Sequence, residues 1–251
     1  MIYITGDCHA QFHKFNTNNF PEQKDMTRDD IVIVCGDFGL WHDTPQEQWR
    51  LNWLGEKSFT LVFVDGNHEN FDRLYSDEFP VVDFHGGKVH KIRENIYHLM
   101  RGYVFDFEGK KFFAFGGASS HDISDGILDG KDFKSDEDFL EAIYEWRAQN
   151  KMFRINHISW WEQELPSEEE MDRGFESLAK YGNKVDYVIT HCCPKNIAGL
   201  MGFYETDTIT DYFEEVASSL GFKRWYFGHY HKDKNVYDKF TCLYNKIERV
   251  L

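Results

Sequence analysis

Four uninterrupted apolar runs punctuate the chain: Ile31-Val32-Ile33-Val34-Cys35, Phe59-Thr60-Leu61-Val62-Phe63-Val64, Val185-Asp186-Tyr187-Val188-Ile189-Thr190 and Arg224-Trp225-Tyr226-Phe227. β-Branched and aromatic runs of this length predict strands covered on both faces. Met1 to Thr5 reads as a further short strand. A glycine or polar turn follows each run, and then a helix-like segment. Between the first two runs the signals are those of a helix start, with Thr44 as N-cap, Pro45 at the first helical position and Glu47 completing a capping box. Strand and helix in alternation imply an α/β fold.

From about Val81 to Gly117 the pattern shifts to short strands separated by turns: Lys88 to Arg93, Ile96 to Met100, Tyr103 to Phe107 and Lys110 to Phe115. Glu108-Gly109 suits a two-residue hairpin turn, so this part is predicted antiparallel. Residues 118–182 are rich in Asp and Glu, with helices opening at Ser135 and at Ser167, the latter with Glu170 as box partner. No Pro/Gly/Ser linker flanks this segment. It reads as a helical acidic insertion within a single domain spanning 1–251.

The candidate chemistry lies where the strands stop. Five runs end at turns bearing metal-capable side chains: Gly6-Asp7-Cys8-His9, Gly36-Asp37, Gly66-Asn67-His68-Glu69, His191, and Gly228-His229-Tyr230-His231. In α/β sheets ligands bind beyond the carboxyl ends of strands, so five such turns can share one crevice. Asp-x-His and His-x-His, if extended, place alternate side chains on one side. Buried charges need partners, and metal ions supply them.

Read in order, these segments resemble the signature of the calcineurin-like metallophosphoesterases: Asp-x-His, Gly-Asp, Gly-Asn-His-Glu, a lone His, then Gly-His-x-His. Gly116-Gly117-Ala118-Ser119, followed by Ser120-His121-Asp122, resembles a compact bacterial or phage-type member of a single domain. The resemblance implies two packed mixed β-sheets flanked by helices, a four-layer sandwich. It also implies that Asp7, His9, Asp37 and His231 hold one metal, and that Asp37, Asn67, His191 and His229 hold a second, Asp37 bridging. His68 would be the acid beside the leaving group. Two departures stand out: Ala10 follows His9 where many members have Gly, and Phe38-Gly39 follow Asp37 where many have another Asp.

Imidazole, carboxylate and amide donors suit divalent transition ions, Mn²⁺ foremost, with Fe, Zn²⁺, Co²⁺ or Ni²⁺ as alternatives. Two dications can acidify a bridging water and direct the hydroxide at phosphorus, giving phosphate mono- or diester hydrolysis. Against the two metals' +4, Asp7 and Asp37 contribute −2, so the pocket stays positive in a chain of 28 Lys+Arg and 43 Asp+Glu, formal charge −15. That acidity favours a small phosphate ester and makes nucleic acid or a membrane surface an improbable partner. No apolar run approaches the roughly 18 residues that span a bilayer, and the first residues lack signal-peptide features. Five cysteines, Cys8, Cys35, Cys192, Cys193 and Cys242, suit reduced thiols, so the expected location is cytoplasmic. Thiolate ligation is the weaker reading of those beside ligands. His121 and Asp122 read as a solvated loop in preference to substrate contacts, and Trp160-Trp161 as packing in preference to a stacking platform. Asn70 and Asp72 read as support for the site or as a helix start. A noncatalytic binding scaffold and a metal-dependent nuclease are the rival functions, and the intact ligand set opposes the scaffold.

Overall fold

The apolar runs become the central strands of two sheets in the computed structural model, which describes residues 1–40, 42–237 and 239–251. In chain order the first strands are β1 (Ile2–Thr5), β2 (Ile31–Val34), β3 (Thr60–Phe63), β4 (Val81–Phe84), β5 (Gly87–Arg93) and β6 (Ile96–Leu99). Then come β7 (Tyr103–Phe107), β8 (Lys110–Phe115), β9 (Gly126–Leu128), β10 (Phe153–Ile155) and β11 (Tyr187–Thr190). The last are β12 (Arg224–Phe227), β13 (Lys234–Val236), β14 (Phe240–Cys242) and β15 (Ile247–Arg249). The helices are α1 (Pro45–Gly55), α2 (Phe71–Leu74), α3 (Asp136–Ala148), α4 (Glu168–Lys180), α5 (Lys195–Met201) and α6 (Thr208–Ser219).

One sheet runs β15-β1-β2-β3-β6-β5-β4, parallel from β1 to β6 and antiparallel at both margins. The other runs β13-β14-β12-β11-β8-β7, with β14, β12, β11 and β8 parallel. Alternation along each strand divides the core into layers. Ile2, Ile4, Ile31 and Ile33 face Phe105, Phe112, Ala114, Ile189 and Tyr226 between the sheets. Tyr3, Val32 and Leu61 point the other way and pack with Leu51 and Leu54 of α1. Phe113, Val188 and Trp225 do the same with Leu178 of α4 and Ile209, Phe213 and Val216 of α6. Two mixed sheets between helices are thus the observed architecture, as the fold class predicts. Among the described residues no helix is long and apolar enough to cross a membrane.

Local signals act largely as the sequence suggests. Thr44 accepts from the Glu47 N–H, but in place of closing the predicted capping box the Glu47 carboxylate receives the His42 N–H at 3.0 Å and pairs with Arg73. Ser135 caps α3, and Ser167 and Glu170 form a reciprocal capping box on α4. Glu108 (φ 51°) and Gly109 (φ 74°) make the two-residue turn joining β7 to β8. Both sit in the left-handed region, which matches the twist of the flanking strands. Within residues 118–182, β9 and β10 pair in parallel, and Leu128, Ile143 and Ile155 form a small core of their own. The acidic residues Asp132, Asp136, Glu137 and Asp138 are exposed.

Candidate metal centre

Strands β1, β2, β3, β11 and β12 all end at one edge of the sandwich, and their following turns meet there. Ligand-capable atoms of Asp7, His9, Asp37 and His231 lie within 4.8 Å of one another. His9 Nε2 is 3.0 Å from His231 Nε2 and 3.6 Å from Asp37 Oδ2. On the other side of Asp37, the same Oδ2 lies 3.3 Å from His191 Nε2, which is 3.3 Å from Asn67 Oδ1. The rings of His191 and His229 are 4.9 Å apart. The structure thus brings together all seven residues expected to hold metal.

Each carboxylate divides its oxygens between backbone and cluster. Asp37 Oδ1 accepts the His68 N–H at 2.9 Å, and Asp7 Oδ1 accepts the His229 N–H at 2.9 Å. Asp7 Oδ2 is buried and accepts no hydrogen bond, although His231 Nε2 is 3.2 Å away. A buried carboxylate oxygen aimed at imidazole nitrogens without a hydrogen bond fits a metal cation in the cluster, because its desolvation is otherwise uncompensated. Burial opposes ionisation of Asp37, but His191, His68 and His9 outweigh it and hold the carboxyl well below its usual range. Burial likewise lowers the His191 pKa, and the Asp37 carboxylate reverses the effect, raising it to about 10.

The turns themselves are left-handed: His9 (φ 45°), Asp37 (φ 46°), His229 (φ 66°) and His231 (φ 49°). The Asp-x-His and His-x-His side chains therefore converge through turns, not through alternation along an extended segment. Non-glycine residues pay for this conformation, and such strain gathers at functional sites. Space is equally restricted. A Cβ on Gly66 would lie 2.1 Å from Asp37 Oδ1, and one on Gly36 would lie 2.1 Å from His191 Nδ1.

A second tier of contacts holds the donors in place. The Glu69 carboxylate accepts the N–H groups of Phe38 (2.6 Å), Gly39 (3.0 Å) and Leu40 (3.0 Å), fixing the loop after Asp37. Buried Lys14 donates to the carbonyls of Gly6, Asp7 and Tyr244, stitching the β1 turn to the β14–β15 connection. Asn67 Nδ2 donates to Ser120 Oγ (3.2 Å), which donates to Glu164 Oε2 (2.6 Å), so the Asn67 carbonyl oxygen is turned toward His191. His191 Nδ1 lies 2.8 Å from the Cys35 carbonyl, which leaves Nε2 for the cluster.

Two groups from the 118–182 segment reach the centre. His121, exposed, places Nε2 2.8 Å from His229 Nε2, so it belongs to the rim of the site and not to a remote solvated loop. Arg154 of β10 had no signal in the sequence beyond its place between Phe153 and Ile155. It is 7% exposed, and its Nη2 is 3.1 Å from His68 Nε2 and its Nε 2.7 Å from Asp122 Oδ1. Burial, reinforced by the Arg154, His9 and His191 charges against that of Asp37, lowers the His68 pKa to about 4.

The remaining candidates mainly support the fold, although Trp161 also borders a cavity beside His68 and Arg154. Trp161 is buried in the core beside the first sheet and donates to Asp72 Oδ2 at 2.8 Å, while Trp160 donates to Glu164. Asn70 caps α2. All five cysteines are buried free thiols, and burial pushes Cys8 up to about 12. A larger cavity of about 770 Å³ lies elsewhere, beside Arg101, whose guanidinium is taken up by Asp65, Glu170 and the Gln163 carbonyl.

Comparison with known proteins agrees with this geometry. The calcineurin-like phosphoesterase family model matches residues 1–233. Lariat debranching enzyme A of Xenopus laevis is 27% identical over 174 residues, covering 62% of this chain. The chain spans only 30% of the length of that curated relative.

Proposed function

This chain belongs to the calcineurin-like phosphoesterases, and from that premise we propose that it is a hydrolase of small phosphate esters. Asp7, His9, Asp37 and His231 would hold one divalent ion and Asp37, Asn67, His191 and His229 a second, with Mn²⁺ the first choice for both. The observation that carries this reading is the position of Asp37 Oδ2, 3.6 Å from His9 Nε2 and 3.3 Å from His191 Nε2. Bound there, the ions supply Lewis-acid charge for the phosphoryl group and acidify a water for attack on phosphorus.

The chain's own groups orient and protonate. The Ser120–Glu164 pair fixes the Asn67 amide, and the His68 and His229 N–H groups fix the two carboxylates. His68 is assigned as the proton donor to the leaving oxygen, a role it can fill only once bound phosphate offsets the burial and the Arg154 charge that keep its imidazole neutral here. Its Nε2 accepts from Arg154 in this arrangement, so the donor role requires the substrate's phosphate to take over that guanidinium. The buried unpaired thiols support a cytoplasmic location.

Purified protein reconstituted with Mn²⁺ should hold about two ions by elemental analysis and turn over p-nitrophenyl phosphate or bis-p-nitrophenyl phosphate. Asp37→Asn removes a charge shared by both ions and should lower metal content and abolish turnover together. Normal stoichiometry and near-parent turnover in that variant would refute the dinuclear reading. The match to a lariat debranching enzyme favours a second reading, in which the ester belongs to a nucleic acid. The formal charge of −15 weighs against it.

A further inference from the structure

Two cavities meet at Arg154. One, of about 270 Å³, opens on the metal centre and includes Asp37, Asn67, His229 and His231. The other, of about 290 Å³, is walled by Phe153, Ile158, Trp161 and His42. His68, Asp122 and Arg154 line both. The second cavity therefore adjoins the metal-centre cavity at these three shared residues.

Among the described residues, Arg154 is the one guanidinium or ammonium bordering the metal-centre cavity. Its Nη1 is anchored to the carbonyls of Asn67 (3.4 Å) and Ser159 (3.3 Å), which fixes the plane of the fork. Its Nε and Nη2 face Asp122 and His68. Asp122 is 54% exposed, so its carboxylate can turn to solvent and yield to a phosphoryl oxygen. A planar fork with fixed position suits bidentate contact to such oxygens.

We propose that the substrate is a phosphodiester whose non-leaving arm is an aromatic or heterocyclic group seated in the second cavity, with Arg154 gripping the phosphate at the junction. This rests on the phosphoesterase reading and names its substrate class. An alkyl arm would leave the Phe153, Ile158 and Trp161 wall uncovered.

The test compares methyl p-nitrophenyl phosphate with phenyl p-nitrophenyl phosphate on Mn²⁺-loaded protein. Both release the same leaving group and differ only in the other arm. The phenyl ester should have the higher kcat/KM by about tenfold or more, the scale on which an apolar pocket discriminates. Ile158, 50% exposed, can be enlarged without entering the core. Ile158→Trp should fill the cavity and bring the phenyl-to-methyl ratio close to one. Arg154→Met should raise KM for both diesters while elemental analysis shows both ions retained. A parent ratio near one, or a ratio unmoved by Ile158→Trp, overturns the subsite. Turnover of p-nitrophenyl phosphate with neither diester cleaved overturns it too, while the phosphoesterase reading stands. Metal-loaded protein inert toward all three esters refutes the phosphoesterase reading itself.

Discussion

Ala10 occupies a left-handed conformation, φ 57°, at the turn after His9. Many family members carry glycine there, and the angle supplies the reason: an L side chain pays about 1 to 2 kcal/mol in this region and glycine does not. Part of that gain is offset by glycine's larger unfolded-state entropy. Ala10→Gly should therefore raise stability by about 0.5 to 1 kcal/mol in urea denaturation; a loss of stability would show that the methyl group packs favourably. Glu164 presents the opposite case, a side chain stabilised by being neutral. Burial raises its carboxyl to about 7 against hydrogen bonds from Ser120, the charge of Arg154 and a hydrogen bond from Trp160. Its folded pKa exceeds the unfolded value of 4.5, so the associated stability is present below about pH 4.5 and is lost as pH rises through about 7. The full difference is on the order of 3 kcal/mol. Glu164→Gln should flatten the decline in stability between about pH 5 and pH 8, and parallel pH profiles for parent and variant would contradict this. Neither residue's environment could be read from its neighbours in sequence, because both depend on turns and contacts closed by distant segments.

The elements were far more legible than the turns between them. Continuous apolar runs marked β2, β3, β11 and β12, and Ser/Thr caps marked the starts of α1, α3 and α4, because burial and capping act within a few residues. The candidate ligand turns were legible as residue types and in order. Their left-handed geometry was not, nor was the approach of Arg154, which depends on β10 pairing with β9 across α3. That pairing creates a satellite core in which Leu128, Ile143 and Ile155 are buried and Phe133, Phe139, Trp146 and Phe153 only partly so. Within α3, Ile143 is the buried residue. An element with so little burial opens locally at lower free energy than the central strands. Native-state hydrogen exchange should show α3 amides exchanging at least about tenfold faster than those of β2. Equal protection would mean that the satellite core and the sandwich unfold as one unit.

At the scale of the whole molecule, the sandwich aligns the carboxyl ends of strands from both sheets, and this is why candidate ligands separated by more than two hundred residues, Asp7 and His231, share one cluster. The same scale decides between a small ester and a nucleic acid. The net charge of −15 repels a polyanion at long range, whereas a metal-loaded centre and Arg154, as proposed above, would act on one phosphate at close range. A protein that tracks a nucleic-acid backbone releases counterions at each phosphate it contacts, and its log affinity falls with log salt by about 0.9 per contact on a duplex and about 0.7 on a single strand. A diester carrying one negative charge engages a single phosphate site. Its kcat/KM should therefore change by less than about threefold between about 50 and 200 mM salt. Single-stranded RNA and DNA oligomers should be poor competitors over that range. If an oligomer instead competes tightly at low salt and loses affinity with a slope of several units, the molecule offers a phosphate-tracking surface despite its net charge, and the nucleic-acid reading suggested by the debranching relative takes precedence.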